Sequence, residues 1–436
     1  MECSVRGKGF SMHTQRKRRV VLLGLLACAI ATPARADEIA DWTNILGQAA
    51  QIAATSGLNM SRNAAIVEAA VFDAVNGIER KFTPIHVEPA APPGASQRAA
   101  AIQAAYVSLV NLYPALKTTL FDPQREASLA AIAGGAAARN SVSIARGIAW
   151  GQTVADQIWA WRSGDGFSNV LPPLADGVNP GEWRKTPSAF APAVGRQFAT
   201  MTPWVITAPD AYRPGPPTSL ASGAYALDFA EVKSKGEVAS LTRTADESLY
   251  SQYWNASSAG ALWNRIALSI SASRHLTFSE EARLLALLDI GMADAAIGCW
   301  DAKYKYLFWR PITAIRTDGI PADAAWTPLI PTPAHPDYPS GHSCVSGAAG
   351  RILSNYFGED TAFVSTSDAP SMAGVERSFS SFTQATEEIK NARVFAGIHF
   401  RTACNIGQEL GINVADYVLG HALLPLHGEK TGQLQH

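Results

Sequence analysis

The sequence predicts an all-α fold with two helical-bundle halves, joined by long proline-rich loops, with the active site in the C-terminal half. Three observations carry this. Apolar residues recur at helical spacing through most segments, helix-start signals precede several of them, and neither alternating strands nor a fixed-period repeat is visible. The 436 residues suit one large domain or two modest ones. With 36 basic and 37 acidic residues the chain is not a nucleic-acid binder steered by a basic face. A hydrophobic share of 47% fits a protein with a substantial core.

Residues 1–36 read as an export signal: a basic stretch, an apolar run from Val20 to Ala31, then Ala34-Arg35-Ala36 as a small-residue cleavage site. The run is too short to span a bilayer, and no later stretch reaches transmembrane length. The expectation is an exported chain, periplasmic or extracellular, cleaved after Ala36.

The N-terminal half, 37–235, opens with helices. Val67, Val71, Ala74, Val75 and Ile78 form one apolar stripe, with Ser61 as its expected cap. Ala-rich helices follow over about 96–112 and 141–161. Residues 164–220 then hold ten prolines, a long irregular connection of the kind that carries function. In the C-terminal half, 236–436, Thr244-x-x-Glu247 and Thr277-x-x-Glu280 are capping boxes opening two helices. The second continues without proline through Trp300. A further loop, 318–340, holds six prolines and leads into the run Pro339-Ser340-Gly341-His342.

Beyond residue 36 the cysteines are Cys299, Cys344 and Cys404, too few for a disulfide scaffold and at no zinc spacing. His86, His275, His421, His427 and His436 have no polar company at useful spacing. Three other segments do. Lys303 and Arg310, seven apart, would project from one helix face amid aromatics, with Pro311 ending that helix. Ser340, Gly341 and a helix start at His342 combine a hydroxyl, a close backbone approach and free N–H groups, which suits an anion. Arg393 can grip two oxygens of a tetrahedral anion, and His399 can act as ligand or nucleophile.

Lys-x6-Arg-Pro, Pro-Ser-Gly-His and Arg-x5-His, in this order, resemble the three-part signature of vanadium-dependent haloperoxidases and the type-2 phosphatidic acid phosphatase superfamily. Asp294-Ala295, Trp300 and Phe308 to Pro311 are similar to the corresponding stretch of vanadium chloroperoxidases. The segments AAIVEAAVFDAVNGI and ADESLYSQYWN are similar to soluble bacterial members. The resemblance implies an oxyanion site in which Lys303, Arg310 and Arg393 neutralise the oxygens of vanadate or phosphate, with Ser340 and the Gly341 N–H adding hydrogen bonds. His399 would be the vanadium ligand or a phosphohistidine nucleophile, and His342 the general acid/base. Trp300 would belong to a halide pocket, and His335, at a position where bromoperoxidases carry His, favours bromide over chloride.

The sequence departs from the pattern at two places. Ala403 stands where the superfamily carries the Asp that orients the ligand histidine, and Ala392 where it carries Ser. His399 therefore needs a backbone carbonyl or a remote carboxylate. If the second and third motifs meet on one anion, Cys344 and Cys404 begin neighbouring helices, and a disulfide between them is expected. The implied activities are halide oxidation by hydrogen peroxide with vanadate as cofactor, an exported acid phosphatase acting on phosphate esters, or non-catalytic oxyanion binding.

Overall fold

Two helices buried along most of their length organise the molecule. In the computed structural model, which describes residues 37–134, 141–318 and 321–426, these are α2 (Gly57–Glu79) and α9 (Phe278–Tyr306). A helix apolar on most faces belongs inside a bundle, and both are sheathed by others. Around α2 lie α1 (Glu38–Ile52), α3 (Gln97–Leu112) and α5 (Ser141–Ser163), and α4 (Asp122–Gly134) packs on α3. Then follow α6 (Gly223–Lys235), α7 (Ala245–Ala256), α8 (Ala259–Arg274), α10 (Pro311–Asp318), α11 (Gly341–Phe357), α12 (Phe382–Phe395) and α13 (Arg401–His421). One hydrophobic core runs from Ile39 to Leu423 through both halves. The export signal expected over 1–36 lies outside the described residues, as do His427 and His436. Among the described residues no single helix is long and apolar enough to cross a membrane.

Local signals account for the helix starts. Both capping boxes form, with Thr244 and Thr277 each exchanging hydrogen bonds with the glutamate three residues on. The cap of α2 is Ser56 and not Ser61: Ser56 Oγ accepts from the Asn59 N–H at 3.2 Å, whereas Ser61 sits one turn inside and donates to the Leu58 carbonyl. Between α11 and α12 a two-stranded antiparallel hairpin, β1 (Phe363–Thr366) and β2 (Glu376–Phe379), adds the little strand structure described. Phe363 faces Phe379 across it and stacks on Phe382.

The expectation that Lys303 and Arg310 share one helix is corrected. Leu307 adopts a left-handed backbone, φ 49°, and ends α9 after Tyr306. Pro311 does not terminate that helix; it is the first residue of α10, where its missing N–H costs nothing. Arg310 thus lies in the turn between α9 and α10.

Two packing features place the remaining segments. Helices α11 and α13 touch backbone to backbone through glycines: a Cβ on Gly411 would run into the Cys344 carbonyl, and one on Gly407 would stand 2.7 Å from the Ser340 carbonyl. This brings the starts of both helices together. The proline-rich connection is pinned over α9 by Asp294, whose buried carboxylate accepts from the N–H groups of Trp204, Val205 and Ile206 at 2.7 to 3.0 Å. Upstream on this connection, Val194 and Gly195 reach the cavity described next.

Candidate active site

The starts of α11 and α13, the end of α9 and the end of α12 meet beside a cavity of about 510 Å³, walled by Asn255, Trp300, Gly341, His342, Arg393 and His399. Lys303, Arg310 and Ser340 lie fully buried behind this wall. The structure therefore gathers every residue of the three motifs. His86, His275 and His421 stay away: His86 stacks on Trp161, His275 ends α8, and His421 stacks on Tyr417.

Each cation has a distinct environment. The Lys303 ammonium donates to the carbonyls of Pro336, Asp337 and Pro339, so its three N–H groups hold the turn that precedes α11. Burial, reinforced by the charge of Arg310, lowers its pKa to about 8. Arg310 donates through Nε to the His335 carbonyl and through Nη1 to the Ile398 carbonyl, both at 2.7 Å. Its Nη1 also lies 3.1 Å from His399 Nε2, and its Nη2 lies 3.0 Å from His335 Nδ1. Among the described residues Arg393 has one partner for its guanidinium, the side-chain oxygen of Asn255 at 3.3 Å, and its buried Nε has none. Among the described residues no carboxylate lies within 4 Å of Lys303 or Arg393, and Arg310 has only Asp337, at 3.9 Å. Three buried cations against one carboxylate leave an excess of positive charge that is costly unless an anion joins it.

The polar groups available to such an anion are identifiable. Ser340 precedes α11 as its N-cap but makes no cap bond, and its buried Oγ has no partner. That is unusual for a serine in this position and leaves the hydroxyl with only the Cys404 thiol beside it. Gly341 follows because nothing larger fits: a Cβ there would stand 2.9 Å from the Trp300 ring. The His342 ring is held by the Trp254 carbonyl through one nitrogen, while Nε2 is buried without a partner. Burial, then the nearby cations, pushes the pKa values of His342, His399 and His335 well below the usual range, so all three are neutral near pH 7. The Trp300 indole lies 5.1 Å from the His335 ring.

The carboxylate that Ala403 cannot supply comes from elsewhere. Asp337 Oδ1 lies 2.8 Å from His399 Nδ1, off the line of an ideal hydrogen bond. Asp337 and Asn255 are the two site residues that sequence reasoning does not single out. Asp337 stands inside the His335-to-His342 run, where an acidic side chain beside an anion site reads as repulsive. Asn255 ends the ADESLYSQYWN segment, and only the packing of α7 on α12 shows what it touches.

The disulfide expected between Cys344 and Cys404 is corrected: both are buried free thiols. Cys344 pairs by hydrogen bonding with Cys299 of α9, and Cys404 contacts the side chains of Ser343 and Ser340. The glycine contacts between α11 and α13 place the helix backbones in register but turn the two sulfurs toward different neighbours.

Residues 283–428 match the family described as the VCPO second helical-bundle domain. The chain is 36% identical over 110 residues to the vanadium chloroperoxidase of Curvularia inaequalis, covering 21% of this chain and 18% of that protein. The match thus spans about a fifth of that relative's length. The fold is similar to the first bacterial vanadium-dependent iodoperoxidase structure, with TM-score 0.78 and 24% identity over 89% of this chain and 98% of that one. It is also similar to a holo-type bacterial vanadium-dependent chloroperoxidase, with TM-score 0.64 and 16% identity over 84% and 92%.

Proposed function

We propose that this chain, whose residues 283–428 match the VCPO second helical-bundle domain family, oxidises halide with hydrogen peroxide at a vanadate held in this site. The observation that carries the reading is a set of buried, unpartnered polar atoms, Ser340 Oγ, His342 Nε2 and Arg393 Nε, set among three buried cations. These fit a multiply charged tetrahedral oxyanion. Ser340, the Gly341 N–H and Arg393 would bind its oxygens, and His399 would supply the ligand nitrogen. Lys303 and Arg310 would contribute mainly charge, because carbonyls and His rings already take most of their hydrogens. Bound vanadate would supply the Lewis-acid centre that activates peroxide.

The remaining work falls to the chain. His342, neutral and fixed by the Trp254 carbonyl, presents Nε2 as the group that takes and returns the peroxide proton. Trp300 and His335 wall the cavity where halide would approach. We assign bromide over chloride there, because the less strongly hydrated ion enters a largely apolar pocket more readily. The chain would act after export and cleavage at Ala36, a reading supported by Asp37 serving as the N-cap of α1.

A second reading keeps the same atoms. A neutral His399 facing an oxyanion also suits a phosphatase with a phosphohistidine intermediate, His342 protonating the leaving group. One pair of assays separates them: bromination of a phenol dye with vanadate, peroxide and bromide, and hydrolysis of an aryl phosphate without vanadate. Bromination abolished by His399→Ala supports the haloperoxidase. Phosphate release that vanadate only inhibits supports the phosphatase. Silence in both with phosphate binding retained leaves an oxyanion-binding protein. His335→Phe should shift the bromide-to-chloride ratio, and an unchanged ratio removes His335 from halide selection.

A further inference from the structure

We propose that Asp337 is the positioning carboxylate of His399, so that the second motif supplies what the third motif lacks at Ala403. The proposal rests on the oxyanion reading of the site, but its first readout needs no anion.

The geometry assigns the histidine proton. Arg310 Nη1 is a donor and cannot accept, and it lies nearer Nε2 of His399, at 3.1 Å, than Nδ1, at 3.5 Å. Nε2 therefore offers a lone pair, and the single proton of the neutral ring resides on Nδ1. That nitrogen faces Asp337 Oδ1 at 2.8 Å. Asp337 has no closer ionic partner: Arg310 is 3.9 Å away and spends its hydrogens on two carbonyls and two imidazoles. Both Asp337 oxygens are buried, and besides His399 the carboxyl has the backbone N–H of Phe400 as its neighbour. A carboxylate sealed in this way is costly unless it serves the group it touches. Here it fixes ring orientation and tautomer, so the Nε2 lone pair, which faces Arg310 Nη1 in this structure, is the one that would bind the oxyanion.

The structure also shows why the carboxylate can come from either position. Asp337 and Ala403 line the same small cavity, together with Phe400 and Thr402. The Ala403 carbonyl accepts from the Ser340 N–H at 2.8 Å, so the two motifs are joined by backbone at this point. A side chain lengthened at residue 403 would enter the space beside Asp337.

The test uses the full-length protein labelled with 15N at histidine, with His399→Ala to assign the signal. Wild type should carry its proton on Nδ1 of His399. Asp337→Ala leaves Arg310 alone to hold the tautomer, so it should weaken this preference and bind inorganic vanadate about 10- to 100-fold more weakly. Asp337→Ala/Ala403→Asp should restore both, whereas Ala403→Asp alone should bind vanadate more weakly by crowding two carboxylates. Asp337→Asn preserves shape, removes the charge and can turn its amide N–H toward Nδ1, so it should also weaken the preference, which covers the case in which the alanine variant does not fold. An unchanged tautomer and affinity in Asp337→Asn overturns the proposal. Wild-type protein that shows the Nδ1 proton but binds neither vanadate nor phosphate overturns the oxyanion reading and leaves the Asp337–His399 pairing standing.

Discussion

Arg393 Nη1 donates to the side-chain oxygen of Asn255 at 3.3 Å, and this neutral amide is the partner of a cation that is 1% exposed. A carboxylate in the same place would neutralise the guanidinium before any ligand arrived. At about 4 Å and an effective dielectric near 20, two unit charges interact by about 4 kcal/mol, of which a bound anion would lose part. Asn255→Asp should therefore weaken binding of inorganic phosphate by at least about tenfold, measured by calorimetry. Asn255→Ala should cost less, since it leaves the charge and removes one hydrogen bond. Equal losses in the two variants would show that Asn255 acts through geometry and not through its neutrality.

Gly341 is the residue on which the anion site and the halide wall meet. Its missing Cβ would stand 2.9 Å from two atoms of the Trp300 ring, and both residues are buried. Gly341→Ala must move either the indole or the first turn of α11. Overpacking of this kind costs about 1–3 kcal/mol, read as a lower urea midpoint. The same change should weaken phosphate binding, because the displaced turn carries the N–H groups that face the anion. Gly420→Ala is the control: it is exposed near the end of α13 with nothing within 4 Å, and should be neutral or stabilising by about 0.5–1 kcal/mol.

Oxyanion binding should depend on pH through Lys303. Burial holds its pKa near 8, with Arg310 lowering it further and Cys299, Asp337 and Cys344 opposing. Below pH 8 the ammonium is charged in the free protein and contributes no slope. Above pH 8 it must take up a proton when a dianion binds, so phosphate affinity should fall toward about tenfold per pH unit. Arg393, lowered to about 9 by burial, adds to the slope beyond that point. Lys303→Met should bind more weakly throughout and lose the break near pH 8. For stability the sign is opposite. The folded pKa lies below the unfolded one, so this group's contribution grows as pH rises from about 8 toward the ordinary lysine value.

The helices were legible because their signals are local. The stripe from Val67 to Ile78 and the two Thr-x-x-Glu boxes each depend on residues within one or two turns. The motif residues were legible because the resemblance ties three short patterns together. Other features depend on chain segments far apart in sequence. Leu307 ends α9 through a backbone conformation that no apolar pattern announces. Asp337 meets His399 across 62 residues, at a point where the sequence shows only an acidic residue in a turn. Asn255 reaches Arg393 because α7 packs on α12, and residue spacing carries no record of that contact. The short strands Phe363–Thr366 and Glu376–Phe379 are four residues each, too brief for an alternating pattern to stand out.

The thiols offer a further check on how α9, α11 and α13 meet. Cys299, Cys344 and Cys404 are all buried and free, and the hydrogen-bonded pair is Cys299 with Cys344. Burial raises the Cys344 thiol well above its usual pKa, and Cys404 to about 11. Thiols in that state are poor nucleophiles. In the native protein iodoacetamide should label neither peptide, and after denaturation without reductant it should label the Cys344 and Cys404 peptides once each, by mass mapping. A Cys344–Cys404 linked peptide would require α11 and α13 to turn their sulfurs toward each other, contrary to the packing found here. A Cys299–Cys344 link would agree with that packing, and would show that the hydrogen-bonded pair under Lys303 can be oxidised in place.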